Sequence, residues 1–121
     1  MLEKHKNLIE SNPLSLATVM SDNLPNLIVV AKAKVVTNGE GRERILITDN
    51  YMGQTKRDIA HNSRVCLAVF NSDWEGVKII GEAAYYDEGE WLEKVKSMPE
   101  NEGLPAKGAI LIDVEKVIEL K

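Results

Sequence analysis

Six short apolar stretches separated by clusters of turn-forming residues constrain this chain more than any other feature: 14–20, 27–35, 45–48, 65–70, 77–86 and 109–120. They are rich in β-branched and aliphatic side chains, and hairpin-length turns join most of them, so they read as antiparallel strands rather than βαβ units. Ser21-Asp22-Asn23, Asn38-Gly39-Glu40-Gly41 and Asn71-Ser72-Asp73 supply the turns, since Gly, Asn and Asp tolerate positive φ and bond locally. The stretch 27–35 alternates over a long span, with Leu27, Val29, Ala31, Ala33 and Val35 on one face and Ile28, Val30, Lys32 and Lys34 on the other. One long strand is expected there, with the first face wholly buried and the second turning polar halfway along. The stretch 65–70 is apolar on both faces, which suggests a central strand, and Gly81 inside 77–86 suits a bulge, a sharp bend or the close approach of another backbone.

Three short helices fit between the strands. Leu2, His5, Leu8 and Ile9 recur at helical spacing until Asn12-Pro13 stops them. Met52, Lys56, Ile59 and Ala60 define a second helix at about 51–61, with Asp49-Asn50 as its expected N-cap and His61-Asn62 as its close. Trp91, Leu92, Val95 and Met98 define a third, ended by Pro99. The expected architecture is one domain over 1–121: mainly β, a β-barrel of six antiparallel strands with short helices inserted.

At 121 residues, the chain is too short for a TIM barrel, which needs roughly 200 or more, or for a cleft between two lobes. A chain of this size buries only about two thirds of its unfolded surface, so a symmetric dimer would add apolar burial and could frame a site. With 15 Lys and Arg against 19 Asp and Glu, net charge −4, no clustered basic excess supports nucleic-acid binding. No stretch approaches about 18 apolar residues in a row and the first ten residues lack a signal-peptide core, so no membrane association is expected. Cys66 is the single cysteine. It fits a reducing compartment and a cytoplasmic protein, and its place in an apolar strand reads as a small buried hydrophobe rather than a nucleophile.

His5, His61 and Cys66 are the only imidazoles and thiol, and they have no metal-ligand spacing. No Gly-Xaa-Ser-Xaa-Gly turn or spaced Ser/His/Asp set supports hydrolysis. No catalytic side chain is therefore named, and redox or transfer chemistry would need an organic cofactor. The segment from Thr48 to Arg57 runs from a strand end through capping residues into a helix start followed by two cations. It is either an ordinary capped helix or an anion site, in which first-turn N–H groups, the Thr55 hydroxyl, Lys56 and Arg57 would meet a phosphate.

The order Leu16-Ala17-Thr18-Val19, Leu24-Pro25-Asn26, a long strand, Ile45-Leu46-Ile47-Thr48-Asp49, Met52-Gly53-Gln54-Thr55-Lys56-Arg57-Asp58-Ile59, Asn62-Ser63-Arg64-Val65 and Ile80-Gly81-Glu82-Ala83 resembles the pyridoxamine 5'-phosphate oxidase-like FMN-binding split-barrel family over about 12–118. The resemblance implies a six-stranded antiparallel Greek-key split barrel of the FMN-binding type and a homodimer with two FMN sites at the subunit interface. Carried over by position, it implies that Val29, Val30, Ala31 and Lys32 line the isoalloxazine and ribityl region, that Thr48, Asp49 and Asn50 flank the ring, and that Gln54, Thr55 and Lys56 hold the phosphate. Many members carry Lys or Arg at the place of Gln54, so Lys56 or Arg57 would have to supply that charge here. Lys32 and Lys34 either serve the flavin electrostatically or form a wet face.

The expected function is that of an FMN-binding flavoprotein, a flavin-dependent oxidoreductase or electron-transfer protein with a small-molecule or protein redox partner. Vitamin B6 oxidation itself is not expected, because the chain stops with its last strand while true oxidases resemble this barrel plus a further C-terminal segment. The alternative is a non-catalytic dimeric split-barrel module for haem, a deazaflavin or a protein partner.

Overall fold

The first hairpin shows how local chemistry sets the architecture. Asn23 takes φ 68°, Asp22 Oδ1 accepts the Leu24 N–H at 3.1 Å, and the chain reverses between β1 (Leu14–Val19) and β2 (Pro25–Val30). A computed structural model describes residues 2–37 and 40–120. The remaining strands are β3 (Lys34–Thr37), β4 (Glu43–Asp49), β5 (Arg64–Phe70), β6 (Gly76–Tyr86) and β7 (Gly108–Leu120). The helices are α1 (Lys6–Ser11), entered through a 3-10 turn at Glu3–His5, α2 (Gly53–His61) and α3 (Glu90–Lys96), and a second 3-10 turn lies at Pro99–Asn101. Asn38 and Gly39, half of the expected second turn, lie outside the described residues.

All pairings are antiparallel, in the order β2-β1-β5-β6-β7-β4-β3. Placing β4 beside β7, at the far side of the successive strands β5, β6 and β7, makes a Greek key. The two edge strands, β2 and β3, are consecutive in the chain and joined by residues 31–33 alone. Four Cα steps from Val30 to Lys34 span at most about 14 Å, so the sheet must curl until its edges come close. No pairing between those edges occurs among the described residues. The result is a barrel split along one seam.

That seam corrects the expectation of one long strand and of six strands in all. Pairing of β1 with β2 sets Val29 opposite Ser15 and Leu27 opposite Ala17, and it leaves Leu27 67% and Val29 74% exposed. Val30 points inward, and the next inward residues are Ala33 and Val35. Ala33 lies three positions after Val30 where strict alternation needs two, so one extra residue at 31–33 flips the faces. The stretch becomes β2 and β3, and the strand count becomes seven.

The expected central strand and the expected break at Gly81 are both present. β5 lies between β1 and β6, although only its inward residues Val65, Leu67 and Val69 are buried, while Cys66 and Ala68 are half-buried. At Gly81 the pairing of β6 with β7 skips a residue, Ile80 facing Lys116 and Gly81 facing Val114, and a β-carbon on Gly81 would fall 2.1 Å from the Asp113 carbonyl oxygen. Both the bulge and the backbone approach are present. Leu16, Leu67, Ile79 and Ile110 fill the barrel, each contributing about 1.5 to 3 kcal/mol by burial. A second apolar cluster under α3 joins Leu92 and Val95 to Leu46 and Leu111.

Candidate functional site

A cleft of about 650 Å³ opens at the seam, within the range of roughly 300 to 1,000 Å³ common for small-molecule sites. One wall is the link from Val29 to Lys34, another is the end of β4 with the first turn of α2, and a third is the loop after α3. Of the ten residues named from sequence, Val29, Val30, Ala31, Lys32, Thr48, Asn50, Gln54 and Thr55 line it. Asp49 and Lys56 do not.

Asp49 is buried beneath the loop that leads into α2. Its Oδ1 accepts the Met52 N–H at 2.7 Å, its Oδ2 accepts the Tyr85 hydroxyl, and its carbonyl accepts Lys107 N–H at 2.8 Å. Partial burial, then the hydrogen bond and charge of Asp49, then the charge of Asp87 hold the Tyr85 phenol well above the ordinary tyrosine range. Asn50 is not an N-cap either, because its Oδ1 accepts the Ala106 N–H at 2.8 Å. The cap position falls to Met52, which makes no side-chain cap bond. First-turn N–H groups have no carbonyl partner within a helix, so those of Gly53, Gln54 and Thr55 face the cleft without a side-chain cap. With the partial positive charge of the helix end, this arrangement suits an anion.

A buried polar network fixes this end of α2. Thr18, Thr55 and Asp58 are all buried. Thr18 Oγ1 donates to Asp58 Oδ2 at 2.7 Å and Gln54 Nε2 donates to Asp58 Oδ1 at 2.7 Å. Asn26 Nδ2 reaches Thr18 Oγ1 at 3.3 Å and Thr55 Oγ1 at 3.5 Å. Gln54 Oε1 in turn accepts from Arg57 Nη2 at 3.0 Å, and Arg57 Nη1 lies 3.6 Å from where a β-carbon on Gly53 would sit. Arg57 therefore lies alongside the first turn of α2, next to Gly53, and is not itself among the residues that line the cleft. Lys56 points elsewhere, with Nζ 3.8 Å from Asp87 and 4.9 Å above the Tyr85 ring. Lys32 and Lys34 both line the cleft, and Lys32 Nζ lies 3.5 Å from the Glu10 carbonyl.

Sequence reasoning missed the third wall, where Met98, Asn101 and Leu104 meet the cleft. Asn101 is buried, and its Nδ2 donates to Thr48 Oγ1 at 2.8 Å and to Val95 O at 2.7 Å. Glu10, Tyr51 and Met52 also line the cleft. Among the described residues, no three His, Cys, Asp or Glu side chains gather to hold a metal ion, and no helix is long and apolar enough to cross a membrane.

The family model for pyridoxamine 5'-phosphate oxidase matches residues 1–121. The chain belongs to the pyridoxamine 5'-phosphate oxidase family. Within reach of this family assignment, the uncharacterized protein MJ0282 of Methanocaldococcus jannaschii is 29% identical over all of this chain and 81% of its own length. HupZ of Group A Streptococcus superposes with a TM-score of 0.86 at 22% identity, covering 99% of this chain and 94% of HupZ. An FMN-binding protein from Syntrophomonas wolfei superposes with a TM-score of 0.79 at 18% identity, covering 99% and 86%. At these identities the superpositions establish the split-barrel fold shared with the pyridoxamine 5'-phosphate oxidase family. The residues of the cleft fit the FMN that this family implies: an open helix end suits a phosphate, and Val30, Leu46, Met52 and Met98 offer apolar surface to a flat ring.

Proposed function

We propose that the seam cleft binds FMN and that the protein works as a homodimeric flavin-dependent oxidoreductase or electron carrier. The observation that carries this reading is the uncapped N-terminus of α2 opening into the cleft, with Arg57 alongside its first turn. A neutral ligand would leave those N–H groups without an acceptor, whereas a phosphate monoester satisfies them with a cation close by. Bound FMN would supply hydride or electron transfer. The chain's own part is to hold the phosphate through the first turn of α2, to seat the ring against apolar side chains, and to favour negative charge near Lys32 and Lys34. No side chain is assigned as an acid or base.

The outer sheet face supports the dimer. Leu27 and Val29 share that face with Ser15 and Ala17 of β1 and with Cys66 and Ala68 of β5. Small side chains make this surface flat, and exposed apolar patches of this kind mark association sites. Val29 also lines the cleft, so a second copy laid on this face would cover the stripe and close one rim of the site. Sedimentation velocity on the flavin-loaded protein tests the assembly. A dimer that Val29→Asp turns into a monomer supports the reading, and a wild-type monomer at micromolar concentration contradicts it.

A further inference from the structure

Two asparagines in the cleft have their amides oriented by the backbone. The Val95 carbonyl can only accept, so the 2.7 Å contact with Asn101 Nδ2 fixes that amide, and Thr48 Oγ1 at 2.8 Å takes its other hydrogen. Both donors of Asn101 are used. Its Oδ1 has no partner among the described residues, and the residue, 8% exposed, lines the cleft. Asn50 is fixed in the opposite sense: its Oδ1 accepts the Ala106 N–H at 2.8 Å, so its Nδ2 donors remain for the cleft. Both line the cleft, Asn101 through its bond to Thr48 at the end of β4 and Asn50 two residues further along the chain.

From this pair we infer that Asn101 and Asn50 form a reader for an imide or lactam edge, Asn101 Oδ1 accepting from a ligand N–H and Asn50 Nδ2 donating to the adjacent ligand carbonyl. The inference rests on the FMN reading and deepens it, because the pyrimidine end of a flavin carries an imide N–H between two carbonyls. The pair sets orientation and specificity. A ligand that presents carboxylates or bare hydrocarbon there leaves Asn101 Oδ1 buried without a donor, a loss that hydrogen-bonding sites turn into discrimination. The third wall thus does more than cover the cleft. It decides which end of a flat ligand faces the loop after α3.

The test uses FMN and 3-methyl-FMN, in which a methyl group replaces the imide hydrogen, titrated into the flavin-free full chain and read by flavin fluorescence. Wild-type protein should bind FMN about tenfold more tightly than the methylated analogue, the size expected when one buried acceptor loses its donor. Asn101→Ala should weaken FMN by about the same factor while leaving 3-methyl-FMN within twofold, as a lost hydrogen bond requires. Equal wild-type affinities overturn the inference, as does an Asn101→Ala variant that weakens both ligands alike or improves only the analogue. If Asn101→Ala does not fold, the wild-type comparison decides alone. Failure of either flavin to bind is a separate result that rejects the FMN reading and this inference with it.

Discussion

Arg57 Nη2 donates to Gln54 Oε1 at 3.0 Å across the first turn of α2. Because Gln54 Nε2 is held by the buried Asp58 carboxylate at 2.7 Å, the amide cannot turn, and it presents its oxygen to the guanidinium. Gln54 stands where many members of the family carry a cation. Here it acts as a bracket that holds a different cation alongside the first turn of the helix.

Arg57→Ala should weaken FMN about three- to tenfold, the range for one partly solvated charge-assisted contact, while changing riboflavin by less than twofold. Lys56→Ala should leave both ligands within twofold, since Lys56 reaches Asp87 and Tyr85 instead. Fluorescence titrations of the four combinations check this, and a larger effect from Lys56 would reverse the assignment.

Asp58→Ala removes the acceptor for both Thr18 Oγ1 and Gln54 Nε2 inside the barrel wall. Chemical denaturation should show a loss of about 2 to 3 kcal/mol, as for buried hydrogen bonds to a charged group. A loss below about 0.5 kcal/mol, the level of an ordinary surface substitution, would mean that the network does not hold the helix end.

The raised Tyr85 phenol predicts a stability loss in alkali. The folded state keeps its proton above the pH at which the unfolded chain releases it, so Tyr85 contributes stability that is fully present below the ordinary tyrosine range and declines as pH rises through and beyond it. Phenolate absorbance should show one tyrosine resisting ionisation until the protein unfolds, and Tyr85→Phe should remove that component. The same variant leaves Asp49 Oδ2 without its hydroxyl donor and should cost about 1.5 to 3 kcal/mol at neutral pH.

Gly81→Ala should be among the most damaging single substitutions. Its β-carbon would fall 2.1 Å from the Asp113 carbonyl oxygen, and backbone atoms cannot move aside as a side-chain tip can. A loss of about 2 kcal/mol or more is expected for such overpacking, readable as a drop in Tm, and an unchanged Tm would show that the bulge can relax.

What was legible in the sequence was local or set by a single contact. Pro13 ends a helix, Asn23 turns a hairpin and Gly81 admits a backbone, each through chemistry carried by the residue itself. The break at 31–33 was hidden because the alternation of 27–35 looks continuous, and only pairing with β1 on one side and β4 on the other reveals the slipped face. Asp49 read as a cap, yet Tyr85, 36 residues away, draws its second oxygen under the loop. Asn101 carried no signal at all. Its role depends on Thr48, 53 residues earlier, arriving beside the end of α3 when β4 pairs with β7.

The most direct measurement is a fluorescence titration of FMN and riboflavin into flavin-free protein. Saturable binding of one FMN per chain, with riboflavin about tenfold weaker or more for want of the phosphate contacts at the α2 end, is the predicted result. No uptake of FMN, or equal affinity for the two flavins, would contradict a phosphate held at that helix end.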